Sequence, residues 1–467
     1  MSSSGSMDGR DADVTEELTE LATEAYVVGF PLVLDLEQVV RFTGHGIDGV
    51  PPAPFNSFAH ERRLPRPEDA AVSADPDILF SIAQVDLGAG PIRLTVPAAV
   101  ERYHVLQFVD AWTNSFAYLG TRATGGHGGE FLLLPPEADM PAAEPATERD
   151  GGTEADAPRP RAIRFPTRVA TIVGRWAVDG EDDLPAVHAC QDALVLTPLG
   201  ASPAEGVPLV PAEASEALDF FEKLRTWSQA FPPAERDQPA LDSYAPLGLL
   251  SPYPLTEQPD SVRDALETGY ALGKEALESA LRPVGVDVDH WRVDLHVFDY
   301  NLDFFEVGAI DAPEWKVPDP RTRYAHRATA ALGGLWGDHA YEVAEFTTEE
   351  DADGEPLTGE HSYRLRLRPT PPVGAFWSLT MYDLPLHHLV PNVLGRYSVG
   401  ERTHGLEYDD DGGLTITMSA DRPTDEKAAA NWLPAPAGRF RPILRLYVPG
   451  DEVLDGRYRV PAIERIA

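Results

Sequence analysis

One cysteine, Cys190, stands in a chain of 467 residues, so no disulfide can form within it. It lies in an apolar-periodic segment and reads as a buried, inert thiol rather than a nucleophile. Lysine is almost missing: only Lys223, Lys274, Lys316 and Lys427 occur, and arginine carries the remaining positive charge. No apolar run approaches the ~20 residues that a membrane-crossing helix needs. The opening stretch, MSSSGSMDGRDADVTEE, is polar and acidic, without the basic start and apolar core of a signal peptide. The expected location is the cytoplasm. G-x-x-x-x-G-K-[ST], H-E-x-x-H and C-x-x-C are all absent. The Gly-rich run Gly125–Gly129 has no helix after it and reads as a flexible hairpin rather than a phosphate cradle.

Acidic side chains are abundant. The formal net charge is −38, which repels phosphate backbones and anionic headgroups and excludes nucleic acid and membrane surfaces as expected partners. Scarce lysine beside so much acid suits high-salt adaptation; a GC-rich genome produces the same bias toward Arg, Ala, Gly and Pro.

The chain is long enough for two or three domains. Residues 1–12 read as a disordered tail and 13–76 as a helical region followed by loop, with Gly29 and Pro31 dividing two helices. Residues 77–182 read as a first β module, with strands expected at 78–86, 92–96, 103–109, 115–119, 130–134 and 162–172. Residues 137–161 form an Ala/Pro/acid-rich insertion. Residues 183–340 form a helical middle, with Ala214–Phe231 strongly amphipathic. Residues 341–467 read as a second β module. The fold class is mainly β with added helices: two tandem jelly-roll-like sandwich modules with a helical layer between and before them.

Tyr103–Arg122, YHVLQFVDAWTNSFAYLGTR, organises the first module. A β-branched and aromatic strand ends in Asp110, Trp112, Thr113 and Asn114, then reaches a Gly120-Thr121-Arg122 turn. Phe376–Asp383, FWSLTMYD, repeats the pattern of Tyr103–Asp110: aromatic, two residues, Leu, three residues, Asp. Two related β modules, each with a central strand ending in aspartate, account for this echo.

Several of these stretches resemble one family. AYVVGFPL, DILFSIAQVDL, RYHVLQFVDAWTNSFAYLGTR and VGRWAVDGEDDLPAVHACQDALVLTPL resemble the domain of unknown function numbered 1254. PPVGAFWSLTMYDLPLHHLVPNVLGRYSVGERT and NWLPAPAGRFRPILRLYVP resemble the domain numbered 1214. The resemblance implies two tandem jelly-roll-like modules with added helices, and homo-oligomers in some members. It does not imply a reaction, and any cofactor is left unknown. The family's Asn-x-Asp-Thr-Leu-Tyr-like motif is Asp75-Pro76-Asp77-Ile78-Leu79-Phe80 here, so its Tyr hydroxyl is gone and its Asn has become Asp.

Two constellations could carry chemistry. In the first, Asp110 and Arg122 would act as acid/base and anion clamp, with Tyr103, Trp112 and Asn114 contacting substrate. In the second, Asp383 and Arg396 would do the same, with Tyr382, His387, Asn392 and Tyr397 as substrate contacts. Each has a bland counterpart, an Asp that locks the loop after its strand. His387 and His388 are neighbours that cannot easily share one metal from a strand, though one could serve as a general base. Asp75, Asp77 and Asp86 could hold a hard cation, but Asp351/Asp353 and Asp409/Asp411 match that pattern as well, so no metal site is assigned. His290, Arg292, Asp294 and His296 would share one strand face, either as ligands or as a solvated row. Two functions follow: an enzyme doing acid/base chemistry on a small, partly apolar molecule in a pocket of the β modules, or a non-catalytic ligand-binding or oligomeric scaffold.

Overall fold

The computed structural model describes residues 9–47, 49–69, 71–138, 161–281 and 285–466. The expected tail at residues 1–8 and most of the 137–161 insertion lie outside the described residues. Helix α1 spans Gly9–His45 without a break, so residues 9–12 are helical rather than tail and the expected division at Gly29 and Pro31 does not occur. The reason is packing. Ala22, Ala25, Leu32, Leu36, Val39 and Phe42 are wholly buried along one continuous stripe, and Gly29 sits where a Cβ would come within 2.5 Å of Leu224. Burial of that stripe outweighs the local cost of one proline.

Three further helices wrap α1: α2 (Glu216–Ala230), α3 (Asp260–Ala280) and α4 (Pro320–Gly334). Side-chain caps start two of them. Ser215 accepts from the Leu218 N–H and Asp319 from the Thr322 N–H, as N-cap residues do.

The first module contains β1 (Phe58–His60), β2 (Ile78–Asp86), β3 (Ile92–Val96), β4 (His104–Asp110), β5 (Ser115–Gly120), β6 (Gly129–Leu134), β7 (Arg161–Arg164), β8 (Val169–Ala177) and β9 (Val195–Pro198). One sheet has the order β1-β2-β8-β4-β5, the other β7-β6-β3-β9. The single strand expected at 162–172 is two strands in opposite sheets. Pro166 lies between them, and Thr167 fixes the crossing by accepting from the Ala111 N–H and donating to the Val169 carbonyl. Cys190 is half-buried against this module's core.

The second module contains β10 (Val286–Val288), β11 (Trp291–Val293), β12 (Val343–Thr347), β13 (Tyr363–Leu367), β14 (Val373–Asp383), β15 (Ser398–Gly400), β16 (Leu414–Ser419), β17 (Trp432–Pro434), β18 (Phe440–Pro449) and β19 (Glu464–Arg465). Its sheets are β10-β11-β12-β18-β14-β15 and β17-β16-β13-β19. The order β2-β8-β4-β5 becomes β12-β18-β14-β15, and β7-β6-β3-β9 becomes β17-β16-β13-β19. In both modules the parallel pair falls at the same place, β6·β7 and β16·β17. The modules are therefore the same fold twice, and the two echoing sequence stretches are the equivalent strands β4 and β14.

Both strands are buried on both faces. Leu106 and Phe108 of β4 enter their own module's core, while Trp377, Leu379 and Met381 of β14 enter theirs. The opposite faces, with Val105 and Gln107 on one strand and Phe376, Ser378 and Thr380 on the other, are also buried. One hydrophobic core runs across the junction, joining Ile78, Tyr103, Val105 and Tyr118 to Phe376, Tyr447 and Trp291.

Gly269 of α3 approaches α1 so closely that a Cβ there would lie 2.4 Å from the Ala22 Cβ. Gly269→Val should force the helices apart and cost about 1–3 kcal/mol. An unchanged urea midpoint would contradict the close contact.

Candidate functional site at the module junction

The first predicted constellation is not one site. Asp110 and Arg122 stand at opposite ends of the β4–β5 hairpin, since Val109 pairs with Ser115 and Val105 with Gly120. Asp110 is fully engaged in the turn that follows it. Its carboxylate accepts from the Trp112 N–H (2.9 Å), the Asn114 N–H (2.8 Å) and the Asn114 side-chain amide (2.9 Å). Burial raises its pKa to about 6, against those hydrogen bonds and the Arg327 charge. Trp112 donates through Nε1 to the Phe231 carbonyl, and the Asn114 Oδ1 accepts from Arg327. These residues fasten the β4–β5 turn to the helical layer.

Arg122 ties the modules together. Its Nε donates to Glu342 at 2.5 Å, its Nη2 donates to the Gly308 carbonyl, and its guanidinium covers the Tyr341 ring. Glu342 is buried, which raises its pKa to about 7 although Arg122 opposes the rise.

Residues of the second constellation are also held in local bonds. The Asp383 carboxylate accepts from the His388 N–H at 2.7 Å, the counterpart of the Asp110 lock. Asn392 closes its own turn, accepting from the Leu394 and Arg396 N–H groups and donating to the Val390 and Arg396 carbonyls. Arg396 donates to the Ala430 and Trp432 carbonyls, and Tyr397 packs beside Tyr382, Leu389 and Ile443. The expected face of His290, Arg292, Asp294 and His296 does not form, because the strand covers only Trp291–Val293 and His290 adopts a φ of 67°. His296 instead pairs with Asp299 at 2.6 Å. Asp86 is separate from Asp75 and Asp77, bonded to Arg168 at 2.9 Å. Among the described residues no group of three or more His, Cys, Asp or Glu side chains could hold a metal ion.

Tyr382 and His387 lead elsewhere. Tyr382 donates to the Ala74 carbonyl at 2.7 Å and accepts from Arg445 at 2.8 Å, while the His387 carbonyl accepts from the Ser73 N–H at 2.8 Å. Arg445 also donates to the Ser73 carbonyl. The second module thereby grips the 73–77 loop of the first, the segment where this chain departs from the family motif. Tyr447 donates to Asp75, and the Asp75 Oδ1 accepts from the Asp77 N–H at 2.9 Å.

Asp77 is held at this junction with one oxygen unused. Its Oδ1 lies 3.5 Å from Arg402 Nη2, too far for a hydrogen bond, and its buried Oδ2 has no partner. Burial, with repulsion from Asp75, raises its pKa to about 6 despite Arg402 and the Ser378 and Ser398 hydroxyls. Beside it, Nε and Nη2 of Arg402 are also buried without hydrogen-bond partners. The Arg402 guanidinium lies 3.7 Å from the Phe376 ring centre, Phe376 stacks on Tyr447 at 4.1 Å, and Tyr103 meets both edge-on. An apolar aromatic wall thus borders a carboxyl, a guanidinium edge and a hydroxyl.

Of these residues, sequence reasoning names Tyr103 as a substrate contact of the Asp110 constellation and Asp77 as a cation ligand. It missed Ser378 and Arg402. The signal available was the altered motif around Asp77, together with Arg402 inside the matching stretch SVGERT.

A groove of about 900 Å³ also runs between α1, α3 and α4, lined by Glu16, Glu20, Glu24, Val27, Leu272 and Tyr324 among others. None of the buried unpaired polar atoms belongs to a residue lining it.

If Asp110 is a lock, Asp110→Ala strands three buried donors and should cost about 3–5 kcal/mol, whereas Asp383→Ala, at a half-buried turn, should cost about 1 kcal/mol. Equal urea midpoints for the two variants would contradict this ranking.

The sequence matches the family described as protein of unknown function (DUF1254) over residues 55–198, and that described as protein of unknown function (DUF1214) over residues 342–451. The first match runs the length of the β1–β9 module. No curated protein matches the chain. Among solved structures, the VPA0106 protein of Vibrio parahaemolyticus aligns with a TM-score of 0.71 at 21% identity, over 96% of this chain and 100% of that one, so the fold is shared. An uncharacterised protein of Burkholderia cenocepacia aligns over 98% of this chain and 96% of its own, at 15% identity and a TM-score of 0.41. No helix among the described residues is long and apolar enough to cross a membrane. With both domains matched, in order, on two copies of one β fold, the chain belongs to the family that joins a DUF1254 domain to a DUF1214 domain.

Proposed function

We propose that the protein is an enzyme that transfers a proton to a small, partly apolar molecule held at the module junction, with Asp77 as the acid. The observation that carries this reading is the Asp77 Oδ2, buried and unpaired beside unpaired Arg402 nitrogens. Unsatisfied buried polar atoms are costly, and a bound molecule that completes their hydrogen bonds is a reason to retain them. A carboxyl with a pKa of about 6 is still partly protonated near neutral pH, which suits a general acid. Arg402 would donate hydrogen bonds to a ligand oxygen, and Phe376, Tyr103 and Tyr447 would cover the apolar part.

A second reading, a ligand-binding protein without turnover, has its own support. Asp110, Arg122, Asp383 and Arg396 all spend their polar atoms on structural bonds.

The deciding experiment screens wild type and Asp77→Asn against a broad metabolite pool. Wild type should consume a substrate, and folded Asp77→Asn should lose about 10²-fold or more in rate. The acid form is present below the pKa, so kcat/KM should fall as pH rises above about 6. Turnover that survives Asp77→Asn would remove Asp77 from the chemistry. Saturable binding without any turnover would favour the second reading.

A further inference from the structure

We infer that the molecule bound at the junction carries a carboxylate, seated side-on against the Nε–Nη2 edge of Arg402; this rests on reading the junction as the functional site. A guanidinium presents Nε–H and one Nη2–H in parallel on a single edge. That pair matches the two oxygens of a carboxylate. Neither nitrogen of this edge has a hydrogen-bond partner, although Nη2 lies 3.5 Å from the Asp77 Oδ1, and Phe376 covers the guanidinium face at 3.7 Å. The hydrogen-bonding capacity left over is therefore on the in-plane edge, whose geometry a planar bidentate acceptor matches. A neutral carbonyl oxygen would satisfy the fork less completely. A dianionic phosphate would add a second negative charge beside Asp75 and Asp77, which already repel each other. A monocarboxylate fills the fork with a single charge.

The neighbouring groups then decide the protonation state. Asp77 faces Asp75 from its own loop, Ser378 from β14, Ser398 from β15, Arg402 beyond β15 and Tyr447 from β18. A carboxylate on Arg402 competes with Asp77 for the one guanidinium between them. It also places a negative charge beside the Asp77 carboxyl. Both effects favour protonated Asp77, whose Oδ2–H can donate to the incoming oxygen. Ser378, 1% exposed on β14, and Ser398 on β15 present their hydroxyls to the same Asp77 carboxyl. Binding a carboxylate thus takes up a proton when Asp77 starts ionised, and affinity weakens as pH rises through the Asp77 titration.

Calorimetric titration with acetate, butyrate, benzoate and methyl benzoate tests this on the full chain. Wild type, Arg402→Lys and Asp77→Asn are compared at about pH 5.5 and pH 7.5, with circular dichroism to establish folding. At least one carboxylate should bind wild type, and more tightly at the lower pH. Methyl benzoate should bind at least about tenfold more weakly than benzoate, because it cannot accept as an anion. Arg402→Lys keeps the charge but loses the fork and should cost about tenfold or more. Asp77→Asn should bind with the pH dependence removed. Failure of all three carboxylates to bind folded wild type at the lower pH overturns the inference, as does equal binding of benzoate and its methyl ester. In either case, substrate turnover that is lost in Asp77→Asn would leave the proton-transfer reading standing and change only the substrate class. Turnover untouched by Asp77→Asn would instead remove that reading.

Discussion

The aromatic contact of Tyr103 with Phe376 and Tyr447 is the point on which the rest of the structure turns. It joins the equivalent central strands of two copies of one sandwich, so the hydrophobic cores merge across the junction. Around it, the ion pairs of Arg122 with Glu342 and Arg175 with Asp338 cross from the first module to the segment entering the second. Buried ion pairs contribute little net stability, since desolvation offsets most of the Coulomb gain, but removing one partner is costly. They therefore act mainly to fix one relative placement of the modules. Apolar burial supplies the driving force, and the charges set the register in which the 73–77 loop meets β14 and β18.

The two modules use the same strand-end aspartate for the same purpose. Asp110 accepts two backbone N–H groups of the turn that follows its strand and Asp383 accepts one, and other polar residues lie at the seam-facing positions. On β4 and its approach these include Tyr103 and Gln107; on β14 they include Ser378 and Thr380. Gln107 is bound to Ser115 and the Gly337 carbonyl. Tyr103 and Thr380 are not hydrogen-bonded through their side chains, while the Ser378 hydroxyl faces the Asp77 carboxyl. Duplication thus placed two polar-decorated sheet faces against one another, and the seam between them keeps unpaired groups that either copy alone would expose to water.

Much of the fold was legible in the sequence because periodicity survives wherever a segment is long. β2 and β3 fall on their expected bounds, α2 within two residues of its own, and the YHVLQFVD/FWSLTMYD echo marked the true equivalence of the modules. The errors have physical causes. Pro31 looked like a helix break, but the buried stripe of α1 overrode it. β7 and β8 read as one strand because Arg161–Ala177 is apolar on either side of Pro166. β1, β9, β15, β17 and β19 have two to four residues each, too few for a period to show. The junction was hidden for a different reason: Asp77, Ser378 and Arg402 are more than three hundred residues apart in part, and no local pattern tells a paired charge from an unpaired one. Asp110 and Arg122 looked like chemistry because polar residues at strand ends attract that reading; the bonds they make here fasten a turn and join the two modules.

If the unpaired junction groups are kept for a ligand, they are kept at the expense of stability, as functional sites often are. The most direct measurement is the urea midpoint of a Tyr103→Phe/Thr380→Val double variant without ligand. Both substitutions delete a buried hydroxyl that has no partner and preserve the packing around it. The account predicts a midpoint above wild type, with about 1 kcal/mol or more gained. A midpoint below wild type by a similar amount would show that these hydroxyls hold the fold together, and would contradict the account.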